Sequence, residues 1–224
     1  MQNVHQLLAP TKVVRSKRKN ISLIIDINGD FIVRAPFQCS ERRIYDFIFE
    51  KAEWVIKKRR AVADNLGIKP LKLQDGETIT IIGEELTIRL TNVRFTRKDG
   101  NFLYVPPVNT KESVVRFVKR TLKGYLDVRV REIANSLGFE YQSISISSAR
   151  TNWGSCSFSN KLHFSYKLAL CPKEIIDYVV IHELCHIKVK NHSAQFWNLV
   201  KGVLPNYKHH EKWLKENRAI INII

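Results

Sequence analysis

The sequence predicts an α+β protein, with a β-rich N-terminal region carrying one helix over residues 1–107 and a second region over 108–224. Three observations carry this division. Short apolar runs separated by Gly and Asn turn signals occupy residues 21–36 and 78–105. From Lys111 the apolar spacing changes to that of a long amphipathic helix. Between the two patterns Pro106-Pro107 breaks the chain.

The N-terminal elements follow in order. Residues 21–27 and 31–36 flank Asn28-Gly29-Asp30, a hairpin signal between apolar runs. Ser40 is placed to cap a helix running to about residue 63, with Ile44, Phe47, Ile48, Ala52, Val55 and Ile56 at helical spacing and Gly67 and Pro70 ending the segment. A second β group comprises residues 78–82, a turn at Gly83-Glu84, residues 86–90, and 102–105 after Lys98-Asp99-Gly100-Asn101. In the second region, Val114 through Leu137 form the long helix ended by Gly138. Alternating Ile and Ser make 143–149 a half-buried strand, 161–168 is another, and Pro172 opens a strongly apolar helix through about residue 190. Two shorter helices, 193–203 and 207–217, close the chain around Pro205-Asn206.

The composition, 44% hydrophobic and 26% charged over 224 residues, excludes a disordered or collagen-like chain. No apolar run has the length of a membrane span or a signal peptide, and the four cysteines form no CxxC pair, so a cytoplasmic protein with reduced thiols and no membrane partner is expected. The net charge is +16. Residues 1–110 hold 19 Lys+Arg against 12 Asp+Glu, and residues 111–224 hold 18 against 9. A field spread over both halves attracts polyanions, nucleic acid included, without identifying a site for one. The run Lys57-Lys58-Arg59-Arg60 reads most simply as a solvated helix end.

The chemistry concentrates in Ile181-His182-Glu183-Leu184-Cys185-His186. Residues four apart share a helix face, so His182 and His186 can point at one metal ion, and Glu183 is placed to act as base on the attacking water. The apolar run before the motif makes the helix a core element. Three protein ligands and an open position define a catalytic zinc site. His192, six residues beyond His186, is the preferred third ligand; the alternatives, Glu211 and Glu216, lie in a hydrophilic stretch. The spacing equals that of HExxHxxGxxH, but Val189 occupies the Gly position, and Asn191 is the residue expected to take the left-handed turn instead. One Zn2+ and hydrolysis of a peptide bond follow as expectations, with a zinc hydrolase of a non-peptide amide as one alternative.

Arg150-Thr151-Asn152-Trp153-Gly154-Ser155-Cys156-Ser157, the segment from Tyr178 to His186, Asn191-His192-Ser193 and Phe196-Trp197 together resemble the YgjP-like metallopeptidase family. The N-terminal pattern, including a basic strand at 13–19 and Glu53-Trp54-Val55, is similar too. The resemblance implies a zincin-like catalytic domain with one zinc on His182, His186 and His192, Glu183 as base, and a relation to SprT-like and WLM zinc peptidases. Through that relation it keeps open a nucleic-acid-associated protein acting on or binding DNA-bound partners. Ser165 stands where members often carry Asn.

Other residues have weaker claims. Arg150 could stabilise an oxyanion, and Trp153 and Gly154 could contact substrate or simply form a tight turn. Cys185 is expected as a small buried apolar group, while Cys156 could face the cavity. His163 reads as an ordinary strand histidine, and His209 and His210 as solvated. Tyr166 and Tyr207 are equal candidates for a phenolic oxyanion donor.

Overall fold

The computed structural model describes residues 8–26, 29–65, 71–149, 152–218, 220 and 224, with the backbone alone at 61 and 63–65. The chain forms two compact units, Met1–Lys69 and Pro70–Ile224.

In the first unit β1 (Lys12–Ser16), β2 (Ser22–Ile25) and β3 (Phe31–Pro36) make a sheet ordered β1-β3-β2. β2 and β3 pair antiparallel, as the hairpin pattern predicts, and β1 runs parallel to β3. Ile27 at the end of the first expected strand and Asn28 of the expected turn lie outside the described residues, as do Gly67 and Pro70. Phe31, Val33 and Ala35 alternate onto one fully buried face, where Ile44, Ile48 and Val55 join them. The single helix expected here is two: α1 (Glu41–Glu50) and α2 (Ala52–Asn65). Ser40 caps α1 by accepting from the Arg43 N–H at 3.3 Å. The chain breaks at Lys51, which leaves helical geometry at φ −109° and ψ 17° while its N–H donates back to Ile48 and Phe49.

In the second unit β4 (Thr78–Ile81), β5 (Glu84–Leu90), β6 (Arg97–Asp99) and β7 (Phe102–Val105) form a sheet ordered β4-β5-β7-β6. The β4–β5 turn is Ile82-Gly83, one residue earlier than the sequence suggests, with φ of 51° and 75° at the two positions. Positive φ at both central residues matches the twist of the flanking strands, and is costly at a β-branched Ile. A tertiary contact holds it: the buried Ile82 donates its N–H to Ala169 O at 2.6 Å.

The two units meet at 69/70, whereas the sequence division stands at 107/108. The β4–β5 hairpin is built onto the 3-10 helix Tyr166–Leu170 that precedes the motif helix. Pro106-Pro107 merely join β7 to the long helix α3 (Thr110–Leu137) inside one unit. α3 spans 28 residues, buries Val114, Phe117, Val118, Leu122, Leu126, Val130, Ile133 and Ala134, and ends on left-handed Gly138, whose N–H returns to Ala134 and Asn135. A third sheet, ordered β8-β10-β9, contains β8 (Ser143–Ser147), β9 (Gly154–Cys156) and β10 (Lys161–Ser165); β9 pairs antiparallel with β10 alone. Then come α4 (Lys173–Cys185), α5 (Ala194–Val203) and α6 (Tyr207–Glu216).

Candidate metal centre

α4 begins at Pro172, which serves as its N-cap. Nine of its thirteen residues are buried, so it is a core helix on nearly all sides. From α3, Arg129 grips it: Nε and Nη2 donate to the two Asp177 carboxylate oxygens, each at 2.8 Å. This bidentate pair holds the Arg129 guanidinium's pKa above its ordinary value. α4 therefore offers the motif side chains from a rigid support.

The structure brings His182, His186 and His192 together, with one ligand nitrogen of each within 4.8 Å of the others. His182 Nε2 and His192 Nε2 are 3.0 Å apart. His186 Nδ1 lies 2.9 Å from Val189 O, so the imidazole donates there and leaves Nε2 as the free ligand atom. Burial and the neighbouring imidazoles push His182 down to about 3, and burial lowers His186 as well. Three imidazoles brought together in this way are a suitable donor set for a divalent cation of the zinc type.

Phe196, fully buried on α5, packs against all three rings, stacking on His186 at 4.3 Å and 20° and meeting His182 and His192 edge-on at 4.9 Å. Trp197 lies 5.8 Å from His182 and 5.6 Å from His192, and stacks on Tyr207 at 5.3 Å. The helical pattern marked Phe196 as apolar, but its place beneath the imidazoles was not legible in it.

Glu183 is 5% exposed, its Oε2 is buried without a hydrogen-bond partner among the described residues, and burial pushes its carboxyl up to about 8. A buried, unpaired carboxylate is expensive in a metal-free fold. This orphaned oxygen, one residue from His182, is what a site built around a cation and its water would leave behind, so the residues present fit a metal ion. Gly154 adjoins the same carboxylate. A Cβ built there would lie 2.7 Å from Glu183 Oε1, 2.8 Å from Cγ and 3.0 Å from Cδ. Its lack of a side chain thus makes room for Glu183.

Two sequence expectations are corrected. Asn191 does not take a left-handed turn: neither it nor Val189 has a positive φ. The chain instead tightens after α4, with Ile187 N–H on Leu184 O and both Lys188 and Val189 N–H on Cys185 O, and Asn191 Oδ1 accepts from the Ser193 N–H at 3.1 Å. No glycine is needed where Val189 stands because no left-handed residue is used. His210 is not solvated. It is buried and stacks on Tyr178 at 6.0 Å, and Tyr178 in turn meets His182 edge-on.

The remaining candidates separate clearly. Arg150 lies outside the described residues. Trp153 is half-buried, and its carbonyl accepts from the Ser165 N–H, while Ser165 Oγ donates to Ala149 O. Cys185 is buried and its thiol pushed up to about 12 by burial; neither it nor Cys156 joins the histidine group. Glu211 and Glu216 pair with Lys215 and Lys212. Tyr166 sits under the ammonium groups of Lys119 and Lys167. His163 Nδ1 is 2.6 Å from Ser145 Oγ.

A core helix holding two imidazoles and a buried carboxylate, closed by a third imidazole from the next segment, is the arrangement of a metal-dependent hydrolase. The family comparison narrows that class. The YgjP-like metallopeptidase domain matches residues 19–217, and the chain belongs to that family; it is a zinc metallopeptidase. Among solved structures it is similar to the metallopeptidase zymogens abylysin of Pyrococcus abyssi and jannalysin of Methanocaldococcus jannaschii. Abylysin is 23% identical, with 40% of this chain and 90% of that one covered and a TM-score of 0.37. Jannalysin is 26% identical, with 40% and 92% covered and a TM-score of 0.36. No curated protein matches the chain. Among the described residues no helix is long and apolar enough to cross a membrane.

Proposed function

We propose that His182, His186 and His192 hold a single zinc ion and that Glu183 is the general base in hydrolysis of a peptide or protein substrate. Bound there, zinc supplies a Lewis acid for the scissile carbonyl and makes water nucleophilic near neutral pH. Glu183 takes a proton from the attacking water and returns it to the leaving amine. Its place one residue after His182 on the same helix, beside Gly154, puts the carboxyl next to the cluster where that water would sit. The His186 hydrogen bond to Val189 O fixes the ring's tautomer, and Phe196 excludes water from behind the imidazoles. Gly154 leaves space for the base at the β9 edge. A cytoplasmic location is supported by four unpaired cysteines, which a reducing compartment preserves.

The observation that carries this reading is the buried Glu183 carboxyl, its Oε2 without a partner among the described residues, beside His182 in a three-imidazole cluster. Glu183→Gln keeps shape and removes the base. Zinc content is expected to stay at the wild-type stoichiometry while peptide hydrolysis falls by about 10²–10⁴. Retained hydrolysis in a fully metal-loaded variant contradicts the assignment.

A further inference from the structure

His192 reaches the cluster from a short segment between α4 and α5 that uses no left-handed residue and is largely exposed. Something other than backbone preference must hold it. The polar groups that do so include one long-range tether. Lys190, two residues before His192, sends Nζ to Asn160 Oδ1 at 2.7 Å, to Ser157 O at 2.8 Å and to Cys156 Sγ at 3.5 Å. An ammonium has three protons, and each has an acceptor here.

The acceptors sit on a turn that is itself preorganised. Asn160 holds the left-handed conformation at φ 57° and donates its N–H to Ser157 O at 3.0 Å, and Lys161 N–H donates to Ser157 Oγ at 3.0 Å. This turn joins β9 to β10, and β9 contains Gly154, against which the Glu183 carboxylate lies. One ammonium therefore joins the segment bearing the third imidazole to the hairpin that walls the base.

We propose that Lys190 is a positioning residue. By tying the His192 segment to the β9–β10 turn it fixes the third imidazole against the first two, and so sets how tightly the metal is held. This rests on the three-histidine reading above. Outer residues that orient metal ligands change metal affinity by roughly 10–100-fold when removed. Lys190 acts through the backbone rather than through the His192 ring, which places its effect at the lower end of that range, about tenfold.

The test is zinc affinity by competition with a chromophoric chelator. It is applied to the full-length wild type, Lys190→Met, Asn160→Gly and the double variant. Glycine keeps the left-handed turn while removing the side-chain acceptor. Lys190→Met is expected to bind zinc about tenfold more weakly and Asn160→Gly about threefold. The double variant should be no weaker than Lys190→Met, because both changes cut one tether. Melting of the metal-free proteins should differ little, which separates a metal-positioning role from general stability. In the cobalt-substituted proteins the visible d–d spectrum of Lys190→Met should broaden or shift. Wild-type zinc affinity in Lys190→Met, or additive losses in the double variant, overturns the tether. Failure of the wild type itself to bind zinc, or indifference of binding to His182→Ala, overturns instead the three-histidine reading on which the tether rests.

Discussion

Glu183 and Gly154 form a pair in which each explains the other. Glu183 is buried, its Oε2 has no hydrogen-bond partner among the described residues, and β9 can pass so close only because residue 154 has no side chain. Gly154→Ala must displace the carboxylate. Overpacking of this kind costs about 1–3 kcal/mol, and a misplaced catalytic group costs about 100-fold in rate. Zinc content is expected to persist while kcat falls by that order. A pH dependence follows in the metal-free protein. The folded-state carboxyl stands at about 8 against an ordinary 4.5, so the folded state binds the extra proton between those values. That contribution is present below pH 4.5 and is lost as pH rises through 8. Urea unfolding of metal-free Glu183→Gln should therefore show a stability gain over wild type that grows from pH 5 to pH 8. At this scale the motif residues were legible, because HExxH states its own geometry in a helical register. Lys190 was not, since its partners lie 30–34 residues earlier and nothing local in Val189-Lys190-Asn191 names them.

Between elements, the site depends on α4 being held from two sides. α3 holds it through Arg129 and Asp177, and α5 supplies Phe196 against the imidazoles. Phe196→Ala empties a fully buried site and is expected to cost about 3–5 kcal/mol, read as a fall in the urea midpoint. Zinc affinity should fall with it, because His186 loses the ring it stacks on. Element type and order were mostly readable: the β2–β3 hairpin, α3 with its Gly138 stop, and α4 starting at Pro172 all follow from local pattern. The break at Lys51 was not readable, since no Gly or Pro marks it and the apolar spacing runs through both helices. The Ile82-Gly83 turn was misplaced by one residue for a related reason. No local rule puts a β-branched residue at positive φ, and only the hydrogen bond to Ala169 shows why it is there.

Across the whole molecule, the two compact units divide at 69/70, and the histidine cluster lies in the second. Metal should therefore report on that unit's stability. At free zinc of 100 times Kd, binding adds about 2.7 kcal/mol. For a unit of this size that is roughly 5–10 °C in Tm. Chelation should lower the Tm by that amount and zinc should restore it, whereas His182→Ala should respond to neither. Pro106-Pro107, where the composition changes sharply, lies inside the second unit. The β4–β5 hairpin meets the 3-10 helix across more than eighty residues of sequence.

We propose that three imidazoles and no thiol hold the metal. X-ray absorption at the zinc edge of the loaded full-length protein measures that directly. The expected spectrum contains nitrogen and oxygen scatterers only, at about 2.0–2.1 Å, from three imidazoles and one further light ligand, with one zinc per chain. A sulfur shell at about 2.3 Å, from Cys156 or Cys185, or a histidine count unchanged by His192→Ala, would contradict it.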